Sequence, residues 1–243
     1  MRLDKFMSEC GILSRRETAK AVSRGEITVN GTPVRRADVQ VDEMHDAVSL
    51  RGETILFSKY VYVMMNKPSG YVSATEDSRG APVVTDLLPE PLKRRGLFPA
   101  GRLDKDTVGF LLLTDDGTLA HLLLSPKRHV AKRYVFTLDT PLPEGAERRF
   151  AEGVTLGDEV CKSAALTLTD DRTAGEILLT EGKYHQIKRM MQKEGATVQT
   201  LGRVSFAGIP LDRSLSPGAW RYLSEEEIVL LRAAPASAQE NKM

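Results

Sequence analysis

The chain has 243 residues, of which 34 are Lys or Arg and 33 are Asp or Glu, for a formal net charge of +1. A hydrophobic fraction of 41% and a charged fraction of 28% belong to an ordinary globular protein and exclude collagen-like and disordered chains. No run approaches the ~18 apolar residues of a membrane span, so no membrane partner is expected. The start, Met1-Arg2-Leu3-Asp4-Lys5, lacks the apolar core of a signal peptide. Cys10 and Cys161 stand far apart with no CxxC, which points to a reducing, cytoplasmic setting and away from a disulfide framework or structural zinc. The charge balance alone argues against a nucleic-acid partner, but an average hides patches.

Residues 1–58 read as a small separate module. Leu3, Phe6, Met7 and Cys10 recur at helical spacing. Gly11 stops that helix, and Ser14-Arg15-Arg16-Glu17 has the form of a capping box for a second helix over residues 15–23. Ile27-Thr28-Val29 is strand-like and Asn30-Gly31 is a tight-turn signal. Val39/Val41 and Val48/Leu50 alternate as short strands do. Charge is polarised: residues 1–37 carry eight Lys/Arg and four Asp/Glu, residues 38–58 one and five. Arg15, Arg16, Lys20, Arg24, Arg35 and Arg36 form either a solvated face or a phosphate-binding one. The segments Arg2-Leu3-Asp4-Lys5-Phe6, Ser14-Arg15-Arg16 and Gly25-Glu26-Ile27-Thr28-Val29-Asn30-Gly31 resemble the S4 RNA-binding domain. That resemblance implies RNA contacts at Arg15, Arg16, Lys20 and Arg24.

A second domain is expected over residues 59–232. Residues 60–65 are strand-like, residues 73–99 are polar, Pro-containing and mostly irregular, and residues 108–113 are again an apolar strand. A helix over 119–124, a strand over 134–138, a helix over 143–153, strands over 163–169 and 175–180, a helix over 184–194 and a strand over 197–206 follow. Ser224 caps a last helix over 225–232, and residues 233–243 read as a frayed tail. Strands and helices mix without a steady βαβ rhythm, so the fold class is α+β with a largely antiparallel sheet.

Metal, nucleotide-phosphate and serine-hydrolase signatures are missing: there is no HExxH, GxxxxGK[ST], GxGxxG or GxSxG. What remains is Asp104, a carboxylate just before an apolar strand, a position that also suits a turn or cap residue. Three windows around it are basic. Residues 93–105 hold Lys93, Arg94, Arg95, Arg102 and Lys105, residues 127–133 hold Lys127, Arg128, Lys132 and Arg133, and residues 183–193 hold Lys183, Lys188, Arg189 and Lys193. If they converge, the fold builds a positive groove around one acid, suited to an anionic polymer.

The segment Gly101-Arg102-Leu103-Asp104-Lys105-Asp106-Thr107-Val108-Gly109-Phe110-Leu111-Leu112-Leu113-Thr114-Asp115-Asp116-Gly117 resembles the signature of the RsuA-type pseudouridine synthases. So do Asn66-Lys67-Pro68-Ser69-Gly70, Lys132-Arg133-Tyr134, Glu181-Gly182-Lys183-Tyr184-His185-Gln186-Ile187-Lys188-Arg189-Met190, and the closing Pro217-Gly218-Ala219-Trp220-Arg221-Tyr222-Leu223. Val108 and Phe110 depart from the usual pattern at apolar positions. The resemblance implies isomerisation of uridine to pseudouridine with no cofactor and no metal. It implies Asp104 as the catalytic carboxylate, Lys188 as its ion-pair partner with Arg189 as rival, Tyr134 as the active-site tyrosine, and Arg102 as the side chain that fills the gap left by a flipped nucleotide. Further RNA contacts are expected at Lys105, Lys132, Arg133, Lys183, His185, Gln186 and Arg189. The pattern is most like the enzyme for uridine 516 of small-subunit (16S) rRNA, a monomer acting on free rRNA or on an assembling subunit. A large-subunit (23S) rRNA enzyme, a non-catalytic ribosome-assembly factor and an RNA glycosidase stay open as alternatives.

Overall fold

The computed structural model describes residues 1–240. The chain forms two compact units, one of Met1–Val61 with Thr85–Phe98, the other of Tyr62–Val84 with the chain from Pro99 onward.

In the first unit, α1 (Leu3–Glu9) and α2 (Arg15–Ser23) pack on a four-stranded antiparallel sheet of order β2-β1-β3-β4, with β1 Ile27–Val29, β2 Thr32–Pro33, β3 Val48–Leu50 and β4 Glu53–Ile55. The helical spacing of Leu3, Phe6 and Met7 and of Ala21 and Val22 faces Ile27, Val41 and Val48 in one buried core. The expected capping box forms: Ser14 Oγ accepts from the Glu17 amide at 3.3 Å, and Glu17 Oε2 accepts from the Ser14 amide at 2.8 Å. Asn30 and Gly31 turn the chain with φ of 51° and 77°, the left-handed pair that a two-residue hairpin demands.

Val39 and Val41 do not form the expected strand. Their backbone lies along the chain start, where the Leu3 amide bonds Val39 O and the Asp4 amide bonds Ala37 O, both at 2.8 Å. Those contacts satisfy amides at the start of α1 that have no partner within the helix. The polar excursion also differs from expectation. Its part Thr85–Phe98 joins the first unit and contains a short helix, α3 (Glu90–Arg94). Arg94 Nη1 donates to Glu17 Oε2 at 2.8 Å, Arg95 donates to the carbonyls of Ser58 and Lys59, and a Cβ on Gly11 would run into the Pro91 carbonyl. Lys93 pairs with Glu90 at 3.7 Å. Three of the basic residues counted around Asp104 are therefore engaged within the first unit.

The second unit is built on one large sheet. Its strands are β5 (Tyr62–Lys67), β7 (Val108–Thr114), β8 (Lys132–Leu138), β11 (Ala165–Leu168), β12 (Ala174–Leu179), β13 (Val198–Phe206) and β15 (Trp220–Tyr222), in the order β11-β12-β8-β13-β7-β5-β15. Smaller strands are the pair β9 (Thr155–Leu156) and β10 (Glu159–Val160), and β14 (Ile209–Pro210) beside β13, while in β6 (Phe98–Pro99) the chain passes from the first unit to the second. All the pairings in the main path are antiparallel except β13 with β7. The helices are α4 (Gly117–Leu124), α5 (Ala146–Glu152), α6 (Gln186–Lys193) and α7 (Glu225–Glu240).

Helix α6 buries Ile187, Met190 and Met191, an i, i+3, i+4 stripe, and leaves Lys188 half-buried on another face. It begins two residues later than its apolar spacing suggested, because His185 takes a left-handed φ of 48° and breaks the helical path. Helix α7 runs on to Glu240, past the expected end at 232. Residues 233–240 include the strong helix formers Ala233, Ala234, Ala236 and Ala238, and the helix continues through them despite Pro235; residues 241–243 of the expected tail lie outside the described residues.

Candidate active site

The parallel pairing of β7 with β13 places the chemistry. Gly109 sits opposite Arg203 with φ of 98°, where a Cβ would run into the Arg203 carbonyl. The chain can pass so close only without a side chain, and this fixes where the loop ahead of β7 begins. That loop carries Arg102, Leu103, Asp104 and Thr107.

The loop is clamped from beneath. Ser73 bonds both backbone groups of Leu103, its hydroxyl donating to the carbonyl at 2.9 Å and accepting from the amide at 3.1 Å. The Thr107 amide closes the turn onto Asp104 O at 3.1 Å, and the Gly70 amide reaches Lys105 O at 2.8 Å. Lys67, fully buried at the end of β5, donates its ammonium to the carbonyls of Pro68 and Lys105 at 3.1 Å each and of Thr107 at 2.8 Å. Burial pulls its pKa down to about 8, against the charges of Asp106 and Asp104 and alongside that of Lys188. Sequence reasoning gave Lys67 and Ser73 no role. For Lys67 the signal was present: a lysine closing an otherwise apolar strand, in the buried phase of that strand.

Asp104 faces the start of α6. Lys188 Nζ lies 3.1 Å from Asp104 Oδ2 and 2.6 Å from Asp106 Oδ1, and His185 Nε2 lies 3.5 Å from Asp104 Oδ1. Burial works against the Lys188 ammonium, but its bonds to Asp106 and Asp104 prevail and leave its pKa above the ordinary lysine value. The Lys188 bond likewise holds the Asp106 carboxyl below its usual range. Lys188, rather than Arg189, is thus the partner of Asp104.

Tyr134 joins them from β8. The cleft is open to solvent, with about 470 Å³ of empty space counting its mouth, and its lining includes the buried Leu103, Tyr134, Leu179, Ile187 and Leu201 together with Arg102, Asp104, Thr107, Lys183, His185 and Lys188. Apolar side chains and one aromatic ring meet a carboxylate flanked by cations, which suits a flat, weakly polar base attached to an anionic backbone. Arg102 is exposed and has no ion pair among the described residues. Thr107, 2% exposed, borders the cleft, and its buried hydroxyl has no hydrogen-bond partner among the described residues. Behind Tyr134, Arg203 is buried with its guanidinium carbon 6.0 Å from the Tyr134 ring centre and 5.0 Å from that of Phe206, and its Nε donates to Phe110 O at 2.7 Å.

Several expected RNA contacts fall elsewhere. Burial in β8 alternates strictly, so Tyr134 faces inward while Arg133 points to the opposite face, where it pairs with Glu176 at 3.1 Å. Lys132 lies inside, bonded to Val130 O at 3.0 Å, and burial first, then Arg203 and Lys162, bring its pKa down to about 8 against the pull of Glu181. Gln186 is a buried strut. It donates to Glu181 at 2.6 Å and accepts from the Lys183 amide at 2.9 Å. Lys132 and Gln186 hold their polar groups inside the protein, and Arg133 offers its guanidinium on the face of the strand opposite Tyr134. Lys183 borders the cleft but is paired with Glu159 at 2.8 Å, and Lys105 and Arg189 are exposed. In the first unit, Arg24 approaches Glu26 at 3.9 Å, while Arg15, Arg16 and Lys20 have no acidic partner among the described residues.

The RNA pseudouridylate synthase family matches residues 61–193, and the S4 domain family matches residues 1–46. The chain is 42% identical over 240 residues to an uncharacterized RNA pseudouridine synthase, YtzG, of Bacillus subtilis (strain 168), covering 97% of this chain and 100% of that one. It is 39% identical over 231 residues to ribosomal small subunit pseudouridine synthase A of Escherichia coli (strain K12), covering 94% and 98%. A solved structure described as a pseudouridylate synthase superposes with a TM-score of 0.67 at 37% identity, covering 95% of this chain and 99% of that one. The chain belongs to the RNA pseudouridylate synthase family, in its RsuA-type branch with an N-terminal S4 domain.

Proposed function

We propose that this protein converts one uridine of small-subunit (16S) rRNA to pseudouridine in the cytoplasm, as a cofactor-free isomerase. The observation that carries the reading is the Asp104–Lys188 pair at 3.1 Å in a cleft shared with Tyr134. The target nucleotide leaves its stack, and the unpaired guanidinium of Arg102 offsets part of that cost by filling the gap. Uracil then rests on the Tyr134 ring against Leu179 and Leu201. Asp104 acts as nucleophile or base at the sugar while the C1′–N1 bond breaks. The base turns, C1′ joins C5, the proton displaced from C5 departs, and N1 gains one. Tyr134 can relay a proton in these steps. Small-subunit specificity is supported by the similarity to the ribosomal small subunit pseudouridine synthase A of Escherichia coli, and the S4 unit supplies a second RNA contact through Arg15, Arg16 and Lys20.

Carbodiimide mapping of rRNA from a strain lacking the gene tests this reading. One pseudouridine stop should vanish from 16S rRNA and return on complementation. Loss of a 23S stop instead would transfer the specificity to the large subunit. An unchanged map would overturn the enzymatic reading for rRNA.

A further inference from the structure

The approach to α6 carries an aromatic side chain that the reaction leaves unused. Tyr184 exposes 77% of its surface, and its hydroxyl has no hydrogen-bond partner among the described residues. Its ring stacks on His185 with centroids 3.9 Å apart and planes 15° apart. His185 in turn sets Nε2 3.5 Å from Asp104 Oδ1. Carboxylate, imidazole and phenol thus run outward from the reacting group to solvent. The geometry is not explained by helix capping: His185 holds the N-cap position of α6 in a left-handed conformation and makes no side-chain cap bond. The imidazole covers one face of the Tyr184 ring and leaves the other open.

We infer that Tyr184 is a stacking platform for the nucleobase next to the flipped uridine. A flipped nucleotide deprives its neighbour of a stacking partner, and a flat ring one step out from the catalytic carboxylate supplies a replacement. Stacking on an aromatic face suits any base, so this subsite adds affinity and placement without reading sequence. Arg102 in the cleft and the exposed Arg189 provide positive charge for the adjoining phosphates. The inference rests on the proposed function and assigns that site a second nucleotide subsite.

The test uses the full chain and rRNA isolated from a strain lacking the gene. Tyr184→Ala and Tyr184→Phe are compared with wild type for KM, for the single-turnover rate at saturating RNA, and for Tm. Tyr184→Ala should raise KM about tenfold or more, with the saturating rate within about twofold and Tm unchanged, while Tyr184→Phe matches wild type. The platform is overturned by a Tyr184→Ala KM within about twofold of wild type. It is also overturned if Tyr184→Phe is as weak as Tyr184→Ala, which would assign the effect to the hydroxyl. A loss confined to the saturating rate, or a lowered Tm, would make Tyr184 a prop for His185 and likewise overturn it. Wild-type protein that forms no pseudouridine in this rRNA would sink the functional reading itself, and the platform with it.

Discussion

Lys188 holds two carboxylates at once, Asp104 at 3.1 Å and Asp106 at 2.6 Å, although it lies 82 residues after Asp106 in the chain. Asp106 competes for the cation but also keeps the ammonium in place when no RNA is bound. Lys188→Ala should lower kcat on the order of 10²–10³-fold, the scale of removing one preorganised charge from a reaction centre, while Lys188→Arg retains part of the rate. The raised Lys188 pKa and the lowered Asp106 pKa give a pair charged across neutral pH. Its contribution to stability is present below the ordinary lysine value of 10.5 and above the ordinary aspartate value of 3.8. It fades as pH rises through the folded lysine value or falls through the folded aspartate value. A Lys188→Ala enzyme with wild-type kcat would remove Lys188 from the mechanism.

Lys67 predicts an alkaline limb. Its pKa near 8 means that the cation beneath the Asp104 loop is lost well before an ordinary lysine would titrate. The kcat/KM of wild type should fall as pH rises through about 8, with a slope of one proton. Between about pH 8 and 10.5 an unfolded lysine binds more protons than the folded one, so this group makes stability rise with pH there. Lys67→Met strands three carbonyl acceptors and should cost about 2–4 kcal/mol, a drop of roughly 5–15 °C in Tm for a chain this size. A flat pH profile up to 9.5, or an unchanged Tm in Lys67→Met, contradicts this account.

Arg102 lines the cleft from the loop ahead of β7, while Arg133 lies on the face of β8 opposite Tyr134. Arg102→Ala should lower single-turnover pseudouridine formation about tenfold or more, since flipping loses its replacement group. Arg133→Ala should leave kcat/KM within about twofold and stability within about 0.5 kcal/mol, because an exposed ion pair contributes little. Equal losses in the two variants would place RNA on both faces.

Helix α2 should govern salt dependence. Replacing Arg15, Arg16 and Lys20 together by Gln should reduce the slope of log affinity against log salt by about 2, at close to one unit per phosphate contact. Binding isotherms from 50 to 300 mM salt check it, and an unchanged slope would mean that α2 does not touch RNA.

These residues also show what a sequence can and cannot disclose. Local rules were legible: the Ser14–Glu17 capping box, the Asn30-Gly31 hairpin and the Ile187–Met190–Met191 stripe depend on neighbours a few positions apart. Asp104, Lys188 and Tyr134 were reached through motif resemblance, and the fold brings all three to one cleft. The basic window at residues 127–133 does not act as one patch, because the strand alternates faces: Arg133 points away from its neighbour Tyr134, while Lys132 shares the inward face and is buried there. Arg94 was misplaced because its partner, Glu17, lies 77 residues away. The near-neutral net charge carried little information, since it averages over acid-rich and base-rich stretches of the sequence.

The central claim is that Asp104 breaks the glycosidic bond. Purified protein is incubated with rRNA from the deletion strain, labelled with tritium at C5 of uridine, and release of tritium is followed as C5 becomes bonded to C1′. Wild type should release tritium to one equivalent per rRNA, while Asp104→Asn releases none and binds the RNA within about threefold of wild type. Tritium release by Asp104→Asn at the wild-type rate would contradict the account.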